Sequence, residues 1–127
     1  MAKVTGIGGV FFRARNPEAL AAWYRDRLGV PVESWNGARF DFADDPAPRE
    51  HAYSVWAVFP QDTPYFGPGS PAFMINLRVD DLDALLAALR AAGCAVDEKV
   101  QADENGRFRW VTDPEGNRVE LWQPPGA

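Results

Sequence analysis

The stretch GIGGVFFRARNPEALAAWYRDRLGV at residues 6–30 reads as strand, turn, helix and glycine, and PAFMINLRVDDLDALLAALRAAGCAV at residues 71–96 repeats that order. Each half closes on a short apolar strand that ends in proline, VWAVFP at residues 55–60 and VELWQP at residues 119–124. A repeat of this size is typical of two modules with a cavity between them. The repeat therefore predicts where a site lies before any chemical motif is found.

Length and composition exclude several classes of protein. A chain of 127 residues predicts a single domain over residues 1–127. The net charge of −5 and the lack of a basic cluster argue against a nucleic-acid partner. No apolar run approaches the roughly 20 residues that cross a bilayer, so we expect no membrane partner. The single cysteine, Cys94, suits a cytoplasmic protein, and we expect it to be a small core residue.

Both helices carry start and stop signals. Asn16 is the expected N-cap of the first helix, Pro17 its first residue and Gly29 its end. Its apolar face, which we expect to be buried, contains Leu20, Trp23, Tyr24 and Leu28. Asp80 or Asp81 caps the second helix, Gly93 ends it, and its apolar stripe is Leu82, Leu85, Leu86 and Leu89. The two helices differ in length by about one residue, which leaves the alignment of the halves uncertain by one.

The remaining strands are shorter. In the first half we predict strands near Val32–Glu33, at residues 39–42 and at residues 53–59, with a polar loop at residues 43–50. In the second half we predict strands at residues 96–100, 107–112 and 118–122, the last two joined by the turn DPEGN. Each module is therefore βαβββ. Module one spans about residues 4–60, the crossing 61–71 and module two about 72–124.

Three stretches together resemble the vicinal-oxygen-chelate superfamily, the glyoxalase, bleomycin-resistance and dioxygenase group. They are the opening strand and helix with Trp23-Tyr24 and Leu28-Gly29, the segment LRVDDLD at residues 77–83, and the closing hairpin TDPEGNRVELW at residues 112–122. The resemblance implies an α+β fold in which two βαβββ modules form a cupped mixed sheet. It also implies a homodimer. It does not select among the lyases, isomerases, dioxygenases and binding proteins of the group.

In metal-dependent relatives, the first and last strands of each module supply the ligands. Carried over by motif position, three of these slots are Gly9, Met74 and Glu120. The fourth is Trp56, which stands four residues before Pro60 as Glu120 stands four residues before Pro124. Only Glu120 can bind a hard or borderline divalent ion, because glycine has no side chain, tryptophan donates only an N–H, and a methionine thioether prefers soft ions. Shifting the second half by one residue gives Phe73 or Ile75, and neither is a ligand. We therefore expect no metal and no other cofactor.

The lone histidine does not replace the missing ligands. His51 lies beside the proline-rich loop, where we expect a solvated side chain.

Alternation along the strands predicts which side chains line the cup. The expected ligand-binding residues are Phe11, Trp56, Met74, Asn76, Trp110 and Trp122. From the strand at residues 107–112, either Phe108 and Trp110 or Arg107 and Arg109 face inward, and alternation alone does not decide between the pairs. Arg13, Arg78 and Arg118 lie near strand ends, where we expect them to be solvated.

Glu120 is the candidate catalytic residue. A carboxylate in an aromatic cup without a metal is costly, so we expect either a raised pKa or a neutralising arginine. A raised pKa would suit a general acid or base. The alternative interpretation is that Glu120 is a structural carboxylate held by hydrogen bonds.

Aromatic residues offer further alternatives. Trp56 suits stacking on an aromatic or cationic ligand, or ordinary core packing. Tyr65 and Phe66, in the crossing, suit a lid over the cup, a dimer contact, or a strap packed on its own sheet.

The sequence favours a small-molecule binding protein of the bleomycin-resistance kind, metal-independent, with an aromatic or cationic ligand in the cup. The alternative is a glyoxalase-like lyase or isomerase, which uses Glu120 as acid or base or a rearranged metal site. A third reading is an accessory domain, in which case the cup is filled by its own side chains.

Overall fold

The computed structural model describes residues 2–41, 53–69 and 71–125 and divides the chain into two compact units. The first unit is Gly9–Phe73, and the second unit joins Met1–Gly8 to Met74–Ala127. The first strand, β1 (Val4–Ala14), begins in the second unit and ends in the first. Each unit contains one of the two predicted helices.

In the first unit, β1 is followed by the helix α1 (Pro17–Leu28) and the strands β2 (Gly37–Asp41) and β3 (Tyr53–Pro60). β3 lies between the other two strands, parallel to β1 and antiparallel to β2. Because paired residues in a sheet share a face, Phe12 lies on the same side of the sheet as Trp56. The helix packs on that side, with Tyr24 against both rings at centroid distances of 6.1 and 4.8 Å.

The ends of α1 follow the predicted chemistry. The side chain of Asn16 accepts a hydrogen bond from the backbone N–H of Ala19 at 3.1 Å, and Pro17 is the first helical residue. Gly29 ends the helix with a left-handed φ of 70°, and its N–H donates to the carbonyl of Arg25.

In the second unit, the strand β4 (Phe73–Val79) leads to the helix α2 (Leu82–Ala91) and then to β5 (Ala95–Val96) and β6 (Gln101–Asp103). The strands β7 (Gly106–Thr112) and β8 (Arg118–Gln123) complete it. β4 is parallel to β8, β8 is antiparallel to β7, and β5 and β6 each pair with β7. The part of β1 that belongs to this unit lies beside β4.

One face of the second unit is its hydrophobic core. Leu82 and Leu86 of α2 pack with Val79 and Leu121, and all four are nearly inaccessible. Asp81 caps the helix, accepting from the N–H of Ala84 at 3.1 Å. Since alternate residues of β4 and β8 face the helix, the residues between them lie on the opposite face. That opposite face carries the candidate site.

The predicted α+β class is confirmed, since each unit combines strands of mixed direction with one helix. Among the described residues, no helix is both long and apolar enough to cross a membrane. The predicted polar loop at 43–50 lies outside the described residues.

Two predicted strands differ from the structure. No strand forms at Val32–Glu33, because Pro31 has no N–H to donate and the chain turns at once. The N–H of Glu33 donates to the carbonyl of Gly37 at 2.8 Å, and Asn36 takes a left-handed φ of 62° within that turn. The strand predicted at 96–100 is cut after Val96, where the side chain of Asp97 accepts from the N–H of Lys99.

The predicted burial of Trp23 and of Cys94 is wrong. Trp23 is half exposed, because the buried stripe of α1 is centred on Ala21, which is 1% exposed. Tyr24, predicted beside Trp23, is half-buried against Phe12 and Trp56. Cys94 is exposed rather than in the core, since it follows the turn at Gly93 after the end of α2.

Gly8 is needed for close packing in the second unit. A Cβ on Gly8 would overlap Oδ1 of Asn76 and come within 2.9 Å of the ring of Trp122, and both side chains are buried. We expect Gly8→Ala to lower the free energy of unfolding by about 1–3 kcal/mol, the usual cost of overpacking. Urea denaturation followed by tryptophan fluorescence measures the difference.

Gly6→Ala is the matched control on the same strand. Its Cβ would meet only the guanidinium end of Arg78, which can move aside. Equal destabilisation by the two substitutions would contradict the packing described for Gly8.

Candidate functional site

A buried polar pair occupies the centre of the second unit's face opposite α2. Asn76 on β4 is the cross-strand partner of Glu120 on β8. The amide Nδ2 of Asn76 donates to Oε1 of Glu120 at 2.6 Å, and the two residues are only 3% and 1% exposed. Neighbouring parallel strands bring these side chains together although 44 residues separate them. The sequence predicted both as inward-facing polar groups, and the structure joins them.

The structure decides which side of β7 faces this pair. Trp110 is the cross-strand partner of Glu120, and Phe108 is the partner of Trp122. Trp110, Phe108 and Trp122 therefore share a face with Glu120, whereas Arg107 lies on the other face and pairs with Asp83 of α2. Of the alternatives that the sequence left open, the aromatic pair is the one on the site face.

Two cations cover Trp110. Nζ of Lys99 lies 4.7 Å and Cζ of Arg118 lies 5.2 Å from its ring centroid, and the tryptophan is fully buried. Arg118 donates through Nη1 to Oδ2 of Asp97 at 2.6 Å. The backbone N–H of Lys99 and then the guanidinium of Arg118 lower the pKa of the Asp97 carboxyl below its ordinary value. The ring of Trp110 therefore packs against two cationic side chains of the same unit, those of Lys99 and Arg118.

Arg118 departs from the sequence prediction. Its place near a strand end predicted a solvated side chain, yet only 13% of that side chain is exposed. Its partner Asp97 lies in the turn after β5, which the sequence offered no means of placing beside β8. Sequence reasoning therefore missed the Arg118–Asp97 ion pair.

Trp122 and Met74 complete this face. The indole Nε1 of Trp122 donates to the carbonyl of Asn105 at 2.7 Å, and its ring stacks on Phe108 at a centroid distance of 6.2 Å. Met74, two residues before Asn76 on β4, is 1% exposed. Four of the six residues predicted to bind ligand, Met74, Asn76, Trp110 and Trp122, thus lie together on one face of the second unit. Whether they contact a ligand stays a prediction.

The polar pair leaves one buried atom unsatisfied. Within the part of the chain that the structure describes, Oδ1 of Asn76 has no hydrogen-bond donor. It lies over Gly8, in space that any other residue's side chain would fill. A buried carbonyl without a partner typically costs about 1–3 kcal/mol. A ligand that donates an N–H or O–H to Oδ1 would recover that free energy.

The other two predicted ligand-binding residues lie in the first unit, on opposite sides of its strands. Phe11 is paired with Ala57 and lies 5.4 Å from Phe59 on the side away from α1. Trp56 packs under α1, 5.6 Å from Phe12. The expectation that Phe11 and Trp56 line one face is therefore wrong, because the proline-based count placed Trp56 one residue out of register.

The crossing segment covers the Phe11 side of the first unit. Phe66 is fully buried and contacts Phe59 at 5.1 Å, and Tyr65 stacks on the same ring at 5.5 Å. Arg13 was predicted to be solvated, yet its guanidinium donates to the carbonyls of Gln61 and Pro71, each at 2.5 Å. Of the alternatives for Tyr65 and Phe66, the strap packed on its own sheet is the one observed.

The residues at the metal slots do not fit a divalent ion. Phe11 pairs with Ala57 as Asn76 pairs with Glu120, so Ala57 rather than Trp56 is the register counterpart of Glu120. Neither Gly9 nor Ala57 has a donor atom in its side chain, and Met74 offers only a thioether. No cluster of three or more His, Cys, Asp or Glu that could hold a metal occurs among residues 2–41, 53–69 and 71–125. His51 lies outside those ranges.

Comparison with solved structures finds the same fold in proteins of different activities. A methylmalonyl-CoA epimerase from Mycobacterium tuberculosis matches with a TM-score of 0.64 and 23% identity, over 97% of this chain and 90% of that one. The Mn(II)-bound glyoxalase from Novosphingobium aromaticivorans matches with a TM-score of 0.59 and 24% identity, over 97% of this chain and 40% of that one.

A third structure carries the superfamily description itself. A glyoxalase/bleomycin resistance protein/dioxygenase superfamily member from Vibrio splendidus 12B01 matches with a TM-score of 0.56 and 13% identity, over 97% of this chain and 99% of that one. At these identities the likeness establishes the fold and not the reaction.

Comparison of the sequence with curated proteins gives no significant match. The model of the glyoxalase-like domain family, by contrast, matches residues 9–122, which include both helices and all of the strand residues from Gly9 to Trp122. This chain belongs to the glyoxalase-like domain family.

Proposed function

We propose that this protein binds a small organic cation at the Asn76–Glu120 pair and does so without a metal. The observation that carries the proposal is the buried carboxylate of Glu120 bonded to an amide whose own oxygen, Oδ1 of Asn76, has no donor within the described chain. Both groups are hydrogen-bond acceptors, so the complementary ligand group is a donor. An ammonium is the donor that a carboxylate stabilises most.

The aromatic side chains beside the pair support the same class of ligand. Phe108 is half-buried and lies on the same face as Glu120, next to the stacked ring of Trp122. Aromatic faces attract organic cations and pack against aromatic rings. A protonated alkylamine that carries an aromatic ring combines both properties and is the simplest probe of the proposal. Sequestration of such a compound, as in bleomycin-resistance proteins, is the corresponding biological role.

Glu120→Gln tests the role of the carboxylate. Glutamine keeps the shape and an oxygen that accepts from Asn76, so we expect the free energy of unfolding to change by less than about 1 kcal/mol. Affinity for benzylamine and phenethylamine is expected to fall about 10- to 100-fold, since a charge-assisted hydrogen bond becomes a neutral one. Isothermal titration calorimetry measures the affinities.

The matched control is Glu104→Gln, at an exposed carboxylate in the turn between β6 and β7. It makes the same change in charge away from the site and should leave both affinities unchanged. The proposal fails if neither amine binds the wild-type protein, or if Glu120→Gln binds them as tightly as Glu104→Gln does.

The alternative is an isomerase in which Glu120 acts as acid and base. Its support is the burial of this carboxylate, since a carboxylate withdrawn from water and bonded to the amide of Asn76 is a candidate to exchange a proton with a substrate. The methylmalonyl-CoA epimerase among the similar structures suggests a carbon acid beside a thioester as the compound to try first. The abstracted proton would go to Glu120, leaving a planar enolate, and Glu120 would return it to the opposite face of that carbon, which inverts the centre.

Solvent exchange separates binding from isomerisation. In D₂O, an enzyme that removes and returns the α-proton of methylmalonyl-CoA places deuterium on that carbon, and mass spectrometry detects the added mass. The binding proposal predicts the same slow exchange with wild-type protein and with Glu120→Gln. Faster exchange in the wild type that Glu120→Gln abolishes would replace the binding proposal with the isomerase.

A further inference from the structure

A second unsatisfied buried atom lies on the same face as the polar pair. Nε of Arg118 has no acceptor among the residues that the structure describes. Arg118 is two residues from Glu120 on β8, so the two side chains point to one face, with Cα atoms roughly 7 Å apart. One end of this face therefore offers a hydrogen-bond donor, and the centre offers acceptors.

The contacts of Arg118 leave this donor to an outside partner. Asp97 accepts from Nη1 at 2.6 Å, and Cζ lies 5.2 Å from the ring centroid of Trp110, which fixes the guanidinium. A guanidinium has five N–H donors arranged as a fork, and its Nε edge suits a carboxylate. A buried cationic N–H without an acceptor is costly, so an acceptor supplied by a ligand would be stabilised there.

We propose that the ligand is a zwitterion, an organic amine that also carries a carboxylate. Its ammonium donates to Oδ1 of Asn76 and to Glu120, and its carboxylate accepts from Nε of Arg118. The inference rests on the proposed function, because it assigns Arg118 to a ligand already anchored at Glu120. It adds a second charged group to that ligand and a specificity-determining residue to the site.

Matched pairs of probes isolate the carboxylate. The rigid pair is 4-(aminomethyl)benzoate and benzylamine, and the flexible pair is 5-aminopentanoate and butylamine. In each pair the two compounds differ only by the carboxylate. We expect at least one zwitterion to bind about tenfold more tightly than its amine, the gain from one charge-assisted hydrogen bond. Calorimetry gives the ratio of the two affinities.

Substitution of Arg118 should remove the preference and leave amine binding in place. In Arg118→Gln we expect the affinity ratio to fall below about twofold while the amine itself binds as before. Arg118→Lys keeps the positive charge and loses the Nε donor. If the glutamine variant does not fold, the affinity ratio is measured in Arg118→Lys instead. A purely structural role for Arg118 would weaken both members of a pair equally.

Two further variants act as controls. Arg109→Gln removes a guanidinium from β7 that donates to the backbone carbonyls of Lys99 and Asp97, and it should leave the ratio unchanged. Asp97→Asn keeps a side-chain oxygen that can accept from Nη1 of Arg118 and hold the guanidinium in place, but it removes the negative charge, so it should keep or increase the ratio.

The outcomes separate this inference from the proposed function. The zwitterion inference is overturned if the amines bind and neither zwitterion exceeds its amine, or if the preference survives in Arg118→Gln. If neither the amines nor the zwitterions bind, the proposed function fails with it.

Discussion

The hydrogen bond from Asn76 to Glu120 holds the centre of the candidate site together. A carboxylate that is 1% exposed needs a donor, and the amide of Asn76 provides one at 2.6 Å. This bond turns the other end of the amide toward Gly8 and leaves Oδ1 without a donor among the described residues. The same contact thus stabilises the buried carboxylate and leaves Oδ1 of Asn76 as an acceptor without a donor among the described residues.

Because side chains alternate along the strands of the second unit, the two faces of its sheet have different roles. On β4 and β8, Val79 and Leu121 face α2 and form its hydrophobic core, whereas Asn76 and Glu120 face away from it. The apolar side supplies stability by burial, so the other side can carry a polar pair and the cost that goes with it. The first unit uses the equivalent side differently, because Phe66 of its own crossing segment packs there against Phe59.

The sequence predicted the features that depend on local chemistry and on the repeat. Asn16, Gly29 and Asp81 lie at the helix ends as expected, because caps are set by adjacent residues. It also placed Asn76 and Glu120 on one face. The sequence prediction failed where strand register decides which residues share a face. Pro60 is the last residue of β3, whereas Pro124 is the first residue after β8. Counting from those prolines selected Trp56 instead of Ala57, and the partnership of Arg118 with Asp97 depends on a turn that no local pattern reveals.

The ¹³C resonance of the Asn76 side-chain carbonyl reports whether a ligand donates a hydrogen bond to Oδ1 of Asn76. Asparagine labelled at this carbon gives one signal for each asparagine, and the signal missing from Asn76→Ser identifies residue 76. A new hydrogen bond to Oδ1 deshields the carbon, so titration with benzylamine should shift this signal in a saturable manner while the signals of Asn16 and Asn117 stay in place. Saturable binding of benzylamine that leaves the Asn76 signal unmoved would contradict the claim that the pair with Glu120 anchors the ligand.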